Sequence, residues 1–323
     1  MRAIQIPRLD GPQAAQLVEL DEPTDEDAVI VEVHAAGVAF PDALQSRGLY
    51  QYKAELPFVP GAEIAGVVRS APAGSGVEKG DRIAGLTMLN GAMAEVVALQ
   101  PDRVFKLPDN VSFEAGAGIL FNDLTMHHAL RTRGRLADGE TVLVHGAAGG
   151  IGTSTLRLAP AWGASRTIAV VGTEDKIEIA KSAGASDVVL ADGFKDSVMS
   201  LTDGKGVDIV VDPVGGDRFT DSLRSLRAHG RLLVVGFTDE GKIPEVKVNR
   251  LLLNNTSVLG VGWGHYALTR PGFIQEQWSD LLPHIESGVI RPPVGSEFSL
   301  DDAGKALSLM DQRGALGKIV LMP

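Results

Sequence analysis

A glycine-rich run, HGAAGGIG at 145–152, follows the apolar stretch 141–144 and opens a helical pattern. A strand ending in such a turn brings backbone N–H groups and a helix N-terminus up to a phosphate with no side chain in the way. The spacing is A-x-G-x-x-G, with Ala147 where the commonest dinucleotide fingerprint has its first glycine. Such a string alone also fits a plain tight turn. The strand pattern before it, the helical pattern after it and a second strand pattern at 167–171 complete a βαβ unit. The expectation is a dinucleotide whose pyrophosphate lies against Gly149, Gly150, Ile151 and Gly152.

The end of the second strand bears on which dinucleotide. A site for NAD usually places Asp or Glu there for the ribose hydroxyls, whereas a site for NADP replaces the acid with donors or a cation for the 2′-phosphate. Here the strand runs into Gly172 and Thr173 without an acid, and Lys176 follows. NADPH is therefore expected, with Thr173 and Lys176 toward the phosphate. The competing reading has Thr173 capping the next helix, Glu174 and Asp175 serving its dipole and Lys176 in solvent.

The elements that must hold this turn fall into two textures. Residues 1–111 carry short alternating runs at 29–33, 63–70, 81–86, 94–99 and 103–107, broken by turn residues. From about 122 to 263 the pattern is regular βα alternation, with strand candidates at 141–145, 167–171, 188–190, 208–211, 231–235 and 257–261. Six strands with intervening helices fit a doubly wound parallel sheet. Two helical patterns, 272–287 and 300–312, and a strand at 318–322 then return to the first domain. The fold class is thus α/β, with domains at 1–121, 122–263 and 264–323. Pro160, inside the helix after the glycine turn, predicts a kink or an early end there.

Composition bounds the function. The 323 residues are 44% apolar and carry a formal charge of −11, the wrong sign for a nucleic-acid backbone or an anionic membrane surface. No apolar run approaches the roughly 20 residues a bilayer requires, and residues 1–12 lack the apolar core of a signal peptide. A soluble, cytoplasmic protein is expected. With no cysteine, disulfides, thiolate nucleophiles, iron–sulfur clusters and Cys-rich zinc sites are all excluded.

Further motifs run the length of the chain: AAGVAFPD at 35–42, RGLY at 47–50, LPFVPG at 56–61, EIAGVV at 63–68, KGDR at 79–82, GETVLVHG at 139–146 and GKIVL at 317–321. In order and spacing these resemble the zinc-free, zeta-crystallin-like quinone oxidoreductases of the medium-chain dehydrogenase/reductase superfamily. The resemblance implies a GroES-like β-rich catalytic domain interrupted by a Rossmann dinucleotide domain, with the active site in the cleft between them. Where zinc-dependent relatives carry Cys, His and Cys ligands, this chain has Ala39, Ala62 and Phe121, and the structural zinc lobe is missing.

A catalytic zinc would polarise a carbonyl as a Lewis acid. Without one, the expected acceptor is a quinone, which becomes aromatic on reduction. An enoyl-type reductase acting on an enone or acyl thioester stays open, as does a non-catalytic NADPH-binding protein.

The same resemblance places Thr125 against the nicotinamide and Gly236, Phe237, Val261, Gly262 and Trp263 around the ribose and ring. Lys318 matches a cation that reaches the pyrophosphate in relatives, or else is a solvated residue before an edge strand. Phe40, Asp42, Tyr50 and Tyr52 are the substrate-pocket candidates. Ala39 and Leu44 replace Asn and Tyr found in some quinone reductases, so substrate detail does not transfer. No catalytic residue is fixed. His127, at the place of a common Tyr, Asn122 and Tyr50 are the candidates, and Asp42 is read as organising the Pro41 turn or a nicotinamide ribose. A homodimer joined through the sixth strand, 257–261, is also implied, hiding that edge.

Overall fold

The computed structural model describes residues 1–239 and 243–323. It divides into two compact units, Met1–Phe121 with Pro271–Pro323, and Asn122–Arg270. In chain order the first leg carries strands β1 Arg2–Gln5, β2 Gln16–Glu19, β3 Val29–Val38, β4 Pro60–Ser70, β5 Arg82–Asn90, β6 Val96–Leu99 and β7 Val104–Lys106. The second unit contributes β8 Thr141–His145, β9 Arg166–Val171, β10 Asp187–Leu190, β11 Val207–Asp212, β12 Leu226–Val234 and β13 Ser257–Gly260. The return leg adds β14 Val294–Ser299 and β15 Lys318–Met322.

In the first unit the sheet order is β14-β15-β3-β4-β5-β7, with β6 also on β3 and a separate β1–β2 pair. Alternation explains the start of β3: Val29, Val31 and Val33 turn inward onto Ile64, Val68, Ile83, Ile319 and Leu321, while Glu32 stays exposed. Beyond Val33 the strand is buried on both faces, and small residues such as Ala35, Ala36 and Gly37 occupy it. The β1–β2 pair and β14 were not expected from sequence. β2 and β14 mix exposed and partly buried positions, and β1 is only four residues long with its two central residues buried, so none of the three leaves a clear period-two signal.

The second unit is a six-stranded sheet, β10-β9-β8-β11-β12-β13, every adjacent pair parallel. Renumbered within the unit this is the order 3-2-1-4-5-6 of dinucleotide folds. Val142, Leu143, Val144, Ile168, Val170 and Val210 are buried on a sheet covered from both sides, which is why these strands read as unbroken apolar runs. β12 begins at Leu226, five residues before the expected 231, through the exposed segment Arg227–His229 that lacks an apolar signal. The helix Gly150–Ala161 runs to one residue beyond Pro160, so the proline lies in its last turn. The chain leaves this unit after Arg270 rather than at 264. The intervening helix Trp263–Leu268 is tied in by the Tyr266 ring, 4.8 Å from His128, and by Arg270 stacked 4.2 Å over that ring.

Candidate functional site

All six parallel strands point the same way, so the loops following β8, β9, β12 and β13 gather at one edge of the sheet. That edge is where open α/β sheets bind ligands, at the crossover between β8 and β11. The glycine turn lies there, anchored by Ala147 N–H to Val170 O at 3.2 Å and Gly149 N–H to Gly146 O at 3.0 Å. The first bond of the following helix is Thr153 N–H to Gly149 O, 2.9 Å, which leaves the N–H groups of Gly150, Ile151 and Gly152 ahead of the first helical acceptor. Three orphan donors and a helix dipole favour an anion at this end.

One of the glycines is required by backbone contact, and a second packs against a side chain. A Cβ on Gly152 would lie 2.4 Å from both Ala147 Cα and Gly146 O, and one on Gly150 would meet the Asn122 amide at 2.6 Å. Asn122 therefore lies directly against the phosphate turn, on the helix Leu120–His127, with Thr125 one turn further along and 7% exposed. His145 contributes no positive charge here. It is buried, and its Nε2 is 2.8 Å from Ser222 Oγ, whose own hydroxyl donates to Arg218 O at 3.1 Å. Burial, and then the Arg218 charge, bring its pKa down to about 4 against the pull of Asp212, so the ring is neutral and props the turn.

At the end of β9, Gly172 and Thr173 are exposed, and Lys176 is half-buried in a short 3₁₀ turn. Thr173 takes the N-cap position of that turn but its side chain makes no capping bond, so the capping interpretation does not hold for its hydroxyl. After β12, Gly236 and Phe237 are half-buried in a loop held by Val235 N–H to Asp212 O and Thr238 N–H to Pro213 O. After β13, Val261 bonds Val234 O at 2.9 Å, Gly262 is exposed and Trp263 is 3% exposed. Thus the cofactor-side candidates of the second unit, from Thr125 to Trp263, lie on the carboxyl-edge loops or on the helix against them. His127 does not present an open edge. It is buried with its ring edge-to-face on Trp162 at 5.4 Å.

In the other unit a buried charged cluster appears. Lys318 is 3% exposed, and its Nζ donates to Glu63 Oε1 at 2.6 Å; Glu63 Oε2 accepts the Phe121 N–H at 2.9 Å. The alternative reading of Lys318, a solvated residue before an edge strand, does not hold: β15 is an interior strand between β14 and β3. Space for its stem exists because position 37 is glycine, where a Cβ would fall 2.8 Å from Nζ. Asp42 belongs to the same cluster. It is fully buried in the helix Phe40–Ser46, with Oδ2 accepting the Ala39 N–H at 2.7 Å, the reciprocal half of a helix N-cap.

Burial pushes the Asp42 carboxyl up to about 7; the Glu63 charge adds to this, while the Ala39 and Gly61 amides and Lys318 pull it down. Tyr50 is half-buried, and its hydroxyl is raised by burial and by the Asp42 charge; Phe40 is half-buried, and Tyr52 is 54% exposed.

Two functional-looking residues escaped the sequence. Asp123 and Arg157 form a buried pair, Oδ1 to NH2 at 3.0 Å, that joins the Asn122 helix to the phosphate-turn helix. Their 34-residue separation leaves no local signal. Glu63 did leave one, as an acid inside an apolar strand, since such a group is buried only with a partner.

A carboxyl-edge glycine cradle on a 3-2-1-4-5-6 sheet, together with a β-rich unit built from both ends of the chain, defines a two-domain nicotinamide-type dehydrogenase. Residues 25–109 match the family model of the alcohol dehydrogenase GroES-like domain, and residues 150–287 match that of zinc-binding dehydrogenases. The chain belongs to the medium-chain dehydrogenase/reductase superfamily, among its quinone oxidoreductase-like members, and is an oxidoreductase.

It is 38% identical to quinone oxidoreductase-like protein 2 of Rattus norvegicus over 93% of this chain and 86% of that one. Among solved structures it is similar to a protein described as a probable oxidoreductase from Mycobacterium abscessus, at 40% identity and TM-score 0.91, covering 100% of this chain and 99% of that one. It is also similar to the Escherichia coli quinone oxidoreductase complexed with NADPH, at 31% identity and TM-score 0.89, covering 100% of both chains. No helix among the described residues is long and apolar enough to cross a membrane.

Proposed function

We propose that this chain is an NADPH-dependent, zinc-independent reductase that transfers hydride to a quinone. The observation that carries the reading is the carboxyl edge of β8 and β9, a cradle that only glycine permits beside a strand end without an acid and with an exposed Thr173. The E. coli relative solved with NADPH supports the same choice.

When bound, NADPH supplies a hydride from its nicotinamide C4. The N–H groups of residues 150–152 hold the pyrophosphate, and Thr173 and Lys176 hold the 2′-phosphate. Asn122 and Thr125 on one helix, with Phe237, Val261 and Trp263 on two loops, orient the ring. The half-buried Phe40 and Tyr50 and the exposed Tyr52 are the proposed acceptor-side residues of the first unit.

The side chains support zinc independence. Ala39 and Phe121, at two of the ligand positions of zinc-dependent relatives, carry no ligating side-chain atom, and their backbone N–H groups donate to the buried carboxylates of Asp42 and Glu63. A quinone takes up the hydride as an aromatic oxyanion, which needs less Lewis-acid help than a simple carbonyl.

The chain is proposed to work as a homodimer. β13 pairs only with β12 among the described residues, and the helix Asn249–Asn254 that precedes it in the chain exposes Leu252 and Leu253 at 76% and 74%. A second copy adding strand to strand would cover both the edge and these leucines. Sedimentation should give a dimer for the native chain and a monomer for the double variant Leu252→Asp/Leu253→Asp; a monomeric native chain would remove the proposal.

The acceptor class is tested by following NADPH oxidation with 9,10-phenanthrenequinone and with an enone, and by analysing the products. Reduction of the quinone alone is expected. Turnover of the enone alone, with a saturated carbonyl product, would reassign the chain as an enoyl-type reductase.

A further inference from the structure

The helix Leu120–His127 and the cradle helix Gly150–Ala161 are tied together at three levels, through residues that all belong to the second unit. At the phosphate turn the Asn122 amide lies against Gly150, where a Cβ would fall 2.6 Å from Nδ2 and 2.8 Å from Oδ1. Further along, Arg157 Nη2 donates to Asp123 Oδ1 at 3.0 Å. At the far end Trp162, the C-cap of the cradle helix, meets the His127 ring edge-on at 5.4 Å and the Arg131 guanidinium at 5.8 Å.

The middle level is the costly one. Asp123 is fully buried and Arg157 is 9% exposed, and Arg157 Nε and Nη1 have no partner among the described residues. A buried ion pair adds little net stability over apolar side chains of similar volume, and donors without acceptors cost more still. Next to Arg157 on the same helix, Leu156, Leu158 and Ala159 are fully buried, so apolar contact already packs this depth of the unit. What the ion pair adds is direction. Apolar burial is non-directional, whereas a guanidinium bonded to a carboxylate fixes one position of two helices along each other.

We propose that Arg157 is a positioning residue for the dinucleotide. Through Asp123 it holds Asn122 on Gly150, and so sets the distance from the pyrophosphate cradle to the nicotinamide-side residues Asn122 and Thr125. This rests on the NADPH reading. Asp123 directly follows Asn122 in the chain, so any slide of the carboxylate along the helix axis carries the amide with it. Arg157 lies about 10 Å down the cradle helix from Gly150 at 1.5 Å per residue, and it acts through Asp123 rather than on the phosphates.

Arg157→Met would withdraw a cation from a buried carboxylate and endanger folding, so Arg157→Lys is the test. It keeps the charge but is shorter and lacks the planar fork. Titration of the full chain with NADPH and with 2′,5′-ADP, which carries the 2′-phosphate but no nicotinamide, separates the two ends of the site. In Arg157→Lys, NADPH should bind about tenfold more weakly, with 2′,5′-ADP bound as in the native chain. Arg157→Lys/Asp123→Glu, in which a longer acid meets the shorter base, should recover most of the loss.

An Arg157→Lys protein that binds NADPH as tightly as the native chain would overturn the proposal. Equal losses for both ligands would also overturn it, marking Arg157 as part of the scaffold only, and a selective loss that Asp123→Glu leaves unrescued would overturn the action through Asp123. A native chain that binds neither ligand would instead overturn the NADPH reading, and this proposal with it.

Discussion

Gly152→Ala is expected to lose about 100-fold in kcat/KM for NADPH while remaining folded. The added Cβ would lie 2.4 Å from Ala147 Cα and Gly146 O, and neither backbone atom can rotate away. The turn must therefore open by about an ångström, which moves the N–H groups of residues 150–152 off the pyrophosphate, and misplacement on that scale costs about two orders of magnitude. Gly264→Ala is the matched control. Its Cβ would enter open space, so NADPH affinity should change little. Fluorescence titration of NADPH, with far-ultraviolet dichroism to confirm folding, reads both variants. Equal affinity in Gly152→Ala and the native chain would mean that the cradle holds no pyrophosphate.

Lys318→Met should be the most destabilising single change in the catalytic unit, by about 3–5 kcal/mol, because it strips a buried carboxylate of its ammonium. Both Lys318 and Glu63 are almost completely withdrawn from water and 2.6 Å apart, so neither charge recovers hydration when the other is removed. Glu63→Gln in the Lys318→Met background should restore part of the loss, since it removes the uncompensated charge and keeps an oxygen for the Phe121 N–H. Urea unfolding measures all three proteins. A loss below about 1 kcal/mol in Lys318→Met would put the pair in the class of solvent-screened surface bridges, at odds with its burial.

The parallel sheet and the glycine turn were legible because each is a local signal. β8 and β9 are unbroken apolar runs, and 145–152 has the glycine spacing of a strand-to-helix turn. Where elements are as short as β1 or sit half in water, as β2 and β14 do, the pattern faded. The cofactor-side residues could be placed because strand ends in a parallel sheet share an edge, so order along the chain already implies proximity.

The charged cluster of the first unit could not be read the same way. Lys318 and Glu63 are 255 residues apart, joined only because β15 and β4 both flank β3. Asp42 was legible as a turn organiser, and the structure adds its orphan oxygen and its neighbours. Asp123 and Arg157 show the same limit, as a buried pair between two helices with no sequence periodicity to announce it.

Hydride transfer from NADPH to a quinone without a metal is tested most directly on one sample of the purified protein, dialysed against chelator and assayed for zinc content and for NADPH and NADH oxidation in the presence of 9,10-phenanthrenequinone. Quinone-dependent turnover at full rate is expected with zinc far below one per chain, and with a clear preference for NADPH. Turnover that vanishes on chelation and returns only with added zinc would contradict it, as would the absence of quinone-dependent oxidation of either donor.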